Sequence, residues 1–392
     1  MYPHIKAVQI RGYRPFGDFR ASLKSLEVIV GANGSGKSSL FEFLRFLRDA
    51  TYQEIPAEIV QGTIGQEIFH RPGPDRFSWA ITFDMGQISG LVFSGELIGP
   101  IGNTRIAWEK VETERPLPGH SSPLILLDVR GSVGKIYNSD ERKLARLEES
   151  VELRRPNQLT LGTNISPKFN ALHELRDYLQ GWRFYSAFNI DYAAIRRATI
   201  IEEKPTLRED SRNLAAVLHF LYTEHPSVFE EIQTHLRYSV PGFRNLSIKS
   251  QGGPGHVMVF WHESGTQDKL SLADASDGSL RLLSWITLAL SPEPPPLICI
   301  DEPDQGIHPR ALPKLAGLFE KLAGRTQVLL ATHSSYFLTQ FDIAQIAVMR
   351  KEAGEARFLK PSDSAILMAN LADFGVEEIE AMHKNDELEK FA

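Results

Sequence analysis

Residues 28–40 read VIVGANGSGKSSL, and each part of the stretch has a mechanical use. Val28, Ile29 and Val30 form a continuous β-branched run, as in a strand buried on both faces. Gly31, four intervening residues and then Gly36-Lys37-Ser38 fit the spacing GxxxxGK[ST]. Gly31, Gly34 and Gly36 let the backbone turn its N–H groups inward around a phosphate. A helix starting near Lys37 would aim its positive dipole end at the same anion. Lys37 can reach the β- and γ-phosphates, and the Ser38 hydroxyl can sit on a Mg²⁺ ion. Leu40, Phe43, Leu44 and Leu47 follow at helical spacing. The strand–loop–helix context implies a nucleoside triphosphate site with Mg²⁺ as cofactor.

Composition sets the outer bounds. With 392 residues, 42 % hydrophobic and 23 % charged, the chain can bury a large core in two or three domains. A formal net charge of −6 excludes a global basic field that would draw the protein to nucleic acid. The single cysteine, Cys299, excludes an intramolecular disulfide framework. It lies in the apolar run Leu297-Ile298-Cys299-Ile300 and reads as a small buried hydrophobe. No apolar run approaches the roughly 18 residues of a membrane span, and the N-terminus lacks a signal-like apolar region. A cytoplasmic protein that does not engage a membrane is expected.

Outward from the loop, residues 4–11 alternate as a strand. Strands are also expected at 77–84, 90–97, 105–112, 123–129 and 134–138, separated by Gly and Pro. From Ser139 the spacing predicts helices: SDERKLARLEESVEL with apolar Leu144, Leu147 and Val151, then 168–180, RNLAAVLHFLY and PSVFEEIQTHL. Strands return at 243–250 and 256–263, and βα alternation from 297 onward argues for a parallel sheet carrying the loop. The expected division is an ATPase lobe with an antiparallel β subdomain at 1–138, a mainly helical lid at 139–240, and a second ATPase lobe at 241–392. The fold class is α/β with a mixed sheet.

LICIDEP (297–303) places Asp301 and Glu302 at the carboxyl end of a buried strand, where open α/β sheets put their ligands. Asp301 can hold Mg²⁺ and Glu302 can orient and deprotonate an attacking water. QVLLATH (327–333) should bring His333 to the same edge, beside the γ-phosphate. Ser276-Asp277-Gly278-Ser279 precedes a helix with Leu280, Leu283, Ile286 and Leu290. Taken alone it reads as an N-cap.

Together, IRGYRPF, GANGSGKSS, RNLAAVL, SDGSLRLL, IDEPDQGIHP and ATHSS resemble the RecF/SMC-like branch of the ABC-type ATPases, including the ATPase part of OLD-family proteins. The resemblance is strong at the motifs and weak across the lid. It implies a P-loop NTPase of ABC-ATPase type that dimerises on ATP. Gly31, Asn33, Gly34, Ser35, Gly36, Lys37, Ser38 and Ser39 would hold the nucleotide, with Arg14 near it. Ser276, Asp277 and Gly278 would complete the partner subunit's site in trans. Lys37, Glu302 and His333 would be the catalytic set, and Ser38 and Asp301 the metal ligands. Asp304, Gly306 and His308 fall in the stretch that lies near the dimer interface of such ATPases.

Departures from the pattern matter as well. No Q-loop stands out; Gln61 and Gln66 are the nearest candidates, and a surface role suits either. About fifty residues follow Tyr336, fewer than the roughly 100 of a typical small domain, so an OLD-type Toprim nuclease is not expected. Arg142, Lys143, Arg146, Arg154 and Arg155 alternate with glutamates, as on a solvated helical face. The leading expectation is an ATP-hydrolysing head driving a DNA-maintenance or phage-defence partner. Its partners would be a second copy of the chain, with DNA and a separately encoded effector as further classes. A nucleotide-dependent scaffold that docks an effector with little turnover is the alternative. The ATPase subunit of a membrane transporter fits less well, since SDGS and GIHP replace that family's elements.

Overall fold

The computed structural model describes residues 2–363 apart from 53–67, 87–88, 101–102, 117–120, 138–147, 153–154, 156, 164, 167, 252, 266–269 and 273. In chain order the first strands are β1 (His4–Tyr13), β2 (Phe16–Ser22) and β3 (Leu26–Val30), followed by helix α1 (Lys37–Ala50). Strands β4 (Arg76–Asp84), β5 (Ser89–Ile98), β6 (Arg105–Thr113), β7 (Ile125–Arg130), β8 (Val133–Tyr137) and β9 (Glu148–Glu152) come next. Helix α2 (Asn170–Gln180), β10 (Arg183–Ser186), the short α3 (Tyr192–Ile195) and β11 (Thr199–Ile200) lead to α4 (Leu214–Glu224) and α5 (Pro226–Ser239). The remainder runs β12 (Phe243–Ser250), β13 (His256–Glu263), β14 (Leu270–Ser271), α6 (Asp277–Ala289), β15 (Leu297–Asp301), α7 (Leu312–Ala323), β16 (Gln327–Ala331), α8 (Ser335–Leu338), β17 (Ile346–Glu352) and β18 (Glu355–Leu359).

The central sheet has the order β10-β15-β16-β3-β17-β18. Every pairing in it is parallel except the terminal β17–β18 hairpin. Its strands are apolar on both faces because both are covered. One face, carrying Ile29, Leu297, Cys299, Leu329 and Met349, packs with α1, α2 and the first antiparallel strands. The other, carrying Val28, Val30, Ile298, Ile300, Val328 and Leu330, packs with α4 to α7. Cys299 is fully buried, as its apolar run predicts.

An antiparallel sheet, β2-β1-β4-β5-β6-β7-β8-β9, leans on the first face. A smaller sheet, β11-β13-β12 with β14 on β13, joins the helical side. The α/β class and the antiparallel subdomain match the expectation. Among the described residues no helix is long and apolar enough to cross a membrane.

Two segments differ from the sequence reading. The helix expected from Ser139 is, over Glu148–Glu152, strand β9, which pairs antiparallel with β8. Val151 falls opposite Gly134 and packs against the core. A free sheet edge offers this short stretch a full ladder of hydrogen bonds, and tertiary pairing outweighs the weak local preference for helix. Residues 138–147 of the same expected helix, with Arg142, Lys143 and Arg146, lie outside the described residues, as does Arg154. The stretch read as a mainly helical lid also supplies β10, four residues that form the edge of the central sheet beside β15. Helices α2, α4 and α5 do form where the periodicity places them.

Buried charge ties distant segments together. Glu27, in β3 and fully buried, accepts from Lys360 Nζ at 2.9 Å and from the Lys24 backbone N–H at 3.0 Å. Glu109, in β6, accepts from the backbone N–H groups of Thr160 (2.6 Å) and Leu161 (3.3 Å), pinning the 159–163 turn to the antiparallel sheet. Burial pushes the Glu109 carboxyl up to about 7, with the two backbone bonds acting in the opposite direction. A carboxyl whose folded value lies above its ordinary one stabilises the fold fully below about pH 4.5. That contribution is lost as the pH rises through about 7. Urea melts of the native chain and Glu109→Gln from pH 4.5 to 8 should show this directly. The native chain should lose up to about 3 kcal/mol relative to the variant across the window; parallel curves would place the Glu109 carboxyl outside it.

Candidate active site

The phosphate loop runs from the end of β3 to the start of α1, as its spacing predicts. Gly31 has φ 150°, and a Cβ there would stand 2.0 Å from the carbonyl oxygen of Met349. Only glycine fits so close to β17. Lys37 is buried, and its Nζ donates to the carbonyls of Gly31 (2.7 Å) and Ala32 (3.3 Å), curling the loop around the ammonium. Ser35 Oγ is buried with no partner among the described residues. A buried donor left over at a loop of this kind suits an incoming phosphate oxygen.

The other half arrives from strand ends. In the parallel register Asp301 of β15 stands beside Ala331 of β16, so 301–302 and 332–333 leave the sheet at one edge. Ser38 Oγ donates to Asp301 Oδ2 at 2.9 Å, joining motifs 263 residues apart. Burial raises the Asp301 carboxyl, opposed by the Ser38 hydrogen bond and the charge of Lys37. A desolvated carboxylate and a hydroxyl side by side make an all-oxygen pair suited to Mg²⁺. Among the described residues no group of three or more His, Cys, Asp or Glu could hold a metal alone.

Glu302 has φ 55°, a left-handed backbone that a non-glycine residue adopts only when its surroundings impose it. Its N–H donates to the Ala331 carbonyl at 2.8 Å. Its carboxylate accepts from the backbone N–H of His333 at 3.4 Å, and the His333 ring Nε2 lies 3.5 Å away. Burial, then the charges of Asp304 and Asp301, pushes the Glu302 carboxyl up to about 7. Asp304 is fixed by a 2.6 Å hydrogen bond from Thr332 Oγ1, closing the loop after the acids onto the histidine strand. His308 Nδ1 accepts from the Arg310 N–H and caps the turn at Pro309–Ala311.

Ser276 is the N-cap of α6, its Oγ accepting from the Ser279 N–H at 3.2 Å. Gly278 lies against the loop after the acids: a Cβ would meet the Gly306 carbonyl oxygen at 2.5 Å. Arg14 directs its guanidinium to Glu42 of α1, not to the phosphate loop. Gln61 and Gln66 lie outside the described residues. The chain thus brings Lys37, Ser38, Asp301, Glu302 and His333 to one sheet edge, with Ser276 on a separate helix.

One position at that edge has no motif to announce it. Ser186 ends β10 in register with Asp301, and the next N–H, of Ala187, donates to the Asp301 carbonyl at 3.0 Å. RFYS is too short and mixed to stand out as a strand; only its pairing with β15 reveals it.

A family model described as "AAA domain, putative AbiEii toxin, Type IV TA system" matches residues 27–339. No curated protein matches. The chain is similar to the structure titled as the SmcHead bound to the C-winged helix domain of ScpA, at 13 % identity and a TM-score of 0.56. That match covers 91 % of this chain and 97 % of the other. An Smc head domain with an extended coiled coil, bound to the C-terminal domain of ScpA derived from Pyrococcus furiosus, is 12 % identical. It has a TM-score of 0.56, with 94 % and 100 % covered. At such identities the likeness concerns the fold, a P-loop ATPase head of the SMC kind. With the family model spanning the phosphate loop, both acids and His333, the chain belongs to this AAA-domain family.

Proposed function

We propose that the protein binds and hydrolyses ATP and dimerises on it, with each active site completed by the partner subunit. The observation that carries the hydrolysis part of this reading is the Ser38–Asp301 hydrogen bond, with Glu302 next in the chain; the shared site follows from the resemblance at the motifs. This pair of oxygen donors, suited to a metal, next to a carboxylate on a left-handed backbone supports the reading.

In the proposed reaction Lys37 and the loop N–H groups hold the β- and γ-phosphates. Bound at Ser38 and Asp301, Mg²⁺ would draw negative charge off the phosphate oxygens. Glu302 orients a water in line with the γ-phosphate and accepts its proton; a carboxyl raised toward neutrality is well matched to that work. His333, held against Glu302, faces the same phosphate. Ser276 and the N-terminus of α6 supply donors to the partner's nucleotide. The substrate of the motor itself is proposed to be DNA or a separately encoded effector in genome maintenance or phage defence. Capture on the Glu302→Gln protein in ATP separates the two: nucleic acid lost on raising salt, or a stoichiometric protein.

The composite site has a direct test. Turnover per subunit should rise with protein concentration while monomers pair, and light scattering should show a dimer in ATP. Ser276→Arg should leave monomer ATP binding intact and abolish dimer and turnover together, the added side chain obstructing the interface. A monomer in ATP with turnover strictly proportional to protein would refute the shared site.

A further inference from the structure

Arg281 lies one turn beyond the Ser276 cap, on the second turn of α6. Its Nη1 donates to the Gln305 carbonyl in the loop that follows Glu302. Its Nη2 donates to the Ala187 carbonyl at 3.1 Å and to Tyr192 Oη at 2.7 Å. Ala187 in turn donates its N–H to the Asp301 carbonyl. One guanidinium therefore ties α6 to the loop after the acids and to the turn beside Asp301.

The neighbours reinforce this junction. The Tyr192 ring has Arg281 at 5.9 Å and Arg196 at 5.6 Å from its centre. Arg196 reaches back to the start of α6, donating to Asp277 (2.7 Å) and the Ala275 carbonyl (3.2 Å). Trp285 Nε1 donates to the Pro303 carbonyl at 3.0 Å. Gly306 has φ 71°, and a Cβ there would stand 2.4 Å from Arg281 Nη1. Arg281 forms no ion pair with a carboxylate among the described residues. Its planar fork is spent on spread, neutral acceptors, which a lysine could not span together.

We propose that Arg281 is a positioning residue that couples the two composite sites. The inference rests on the shared-site reading above. Through Arg281, the elements that hold Asp301 and Glu302 at a subunit's own nucleotide are hydrogen-bonded to the helix that presents Ser276 to its partner's nucleotide. Movement of the acids' loop when the γ-phosphate binds or leaves is then carried to the other site. A rigid element biased by both sites is what such coupling requires.

The experiment compares native protein, Arg281→Gln, Arg281→Lys and Tyr192→Phe. Readouts are the ATP affinity of the monomer at low protein concentration, the dimer fraction in ATP, the ATP cooperativity of turnover, and thermal melting. Arg281→Gln should bind ATP as a monomer within about twofold of native, yet dimerise about tenfold more weakly and lose cooperativity. Arg281→Lys should fall between, and Tyr192→Phe should weaken dimerisation by about two- to fivefold. If Arg281→Gln melts too low to assay, Tyr192→Phe decides. A native-like dimer and cooperativity in Arg281→Gln, or in Tyr192→Phe when that variant decides, overturns the coupling role and leaves the shared site standing. A native protein that neither dimerises nor cooperates overturns both.

Discussion

Glu302→Gln is expected to bind ATP normally, turn it over about 10²- to 10⁴-fold more slowly, and accumulate as a dimer, since a positioned base contributes about that much. The substitution keeps the size and the acceptor oxygen that the His333 N–H reaches. It removes the charge that accepts the water's proton. It also removes the repulsion from Asp304 and Asp301 that helps raise this carboxyl. The folded protein should therefore be no less stable, and thermal melts should confirm that the loss is chemical. Single-turnover hydrolysis and light scattering in ATP are the measurements. Turnover at the native rate would move the role of base to another group, with His333 and Asp304 the nearest candidates by geometry.

Lys37→Ala should act one step earlier. The Lys37 ammonium is buried and satisfied by the carbonyls of Gly31 and Ala32. Its charge-assisted bonds to phosphate oxygens should be worth about 1.5–3 kcal/mol each. Removing it should weaken ATP binding by about 100-fold or more, and turnover and dimerisation should fall with it. Titration with a fluorescent ATP analogue checks this, and binding within a few-fold of native would contradict the loop assignment. The two variants separate binding from chemistry. Lysine loss should give an ATP-free monomer, and glutamate loss an ATP-filled dimer.

Much of the site was legible locally because its parts are short and stereochemically exacting. Gly31 sits where no side chain fits beside β17, and such a constraint marks the sequence plainly. The apolar runs of β15 and β16 end at the acids and at Thr332-His333 because parallel strands buried on both faces must stop being apolar where they reach the ligand edge. Strands β4, β6 and β13 were readable from alternation, since each has one buried and one wetter face.

Other features depended on partners far away in the chain. Ser38 and Asp301 lie 263 residues apart, and only the sheet order brings them to 2.9 Å. Strand β10 carries no clear pattern of its own and exists because β15 offers a parallel edge. Strand β9 takes the place of a helix for the same reason, on the edge left by β8.

By itself, then, the sequence determined the phosphate loop, the acidic strand end, the α/β class and the residues proposed to handle phosphate, metal and water. These follow from local sterics and from burial, which act residue by residue. Only the tertiary structure decided that Arg281 joins α6 to Ala187 and Gln305, that Asp304 is held by Thr332, and that Arg14 turns to Glu42. Hydrogen bonds between polar groups of distant segments impose no periodicity on either one, so no local pattern records them.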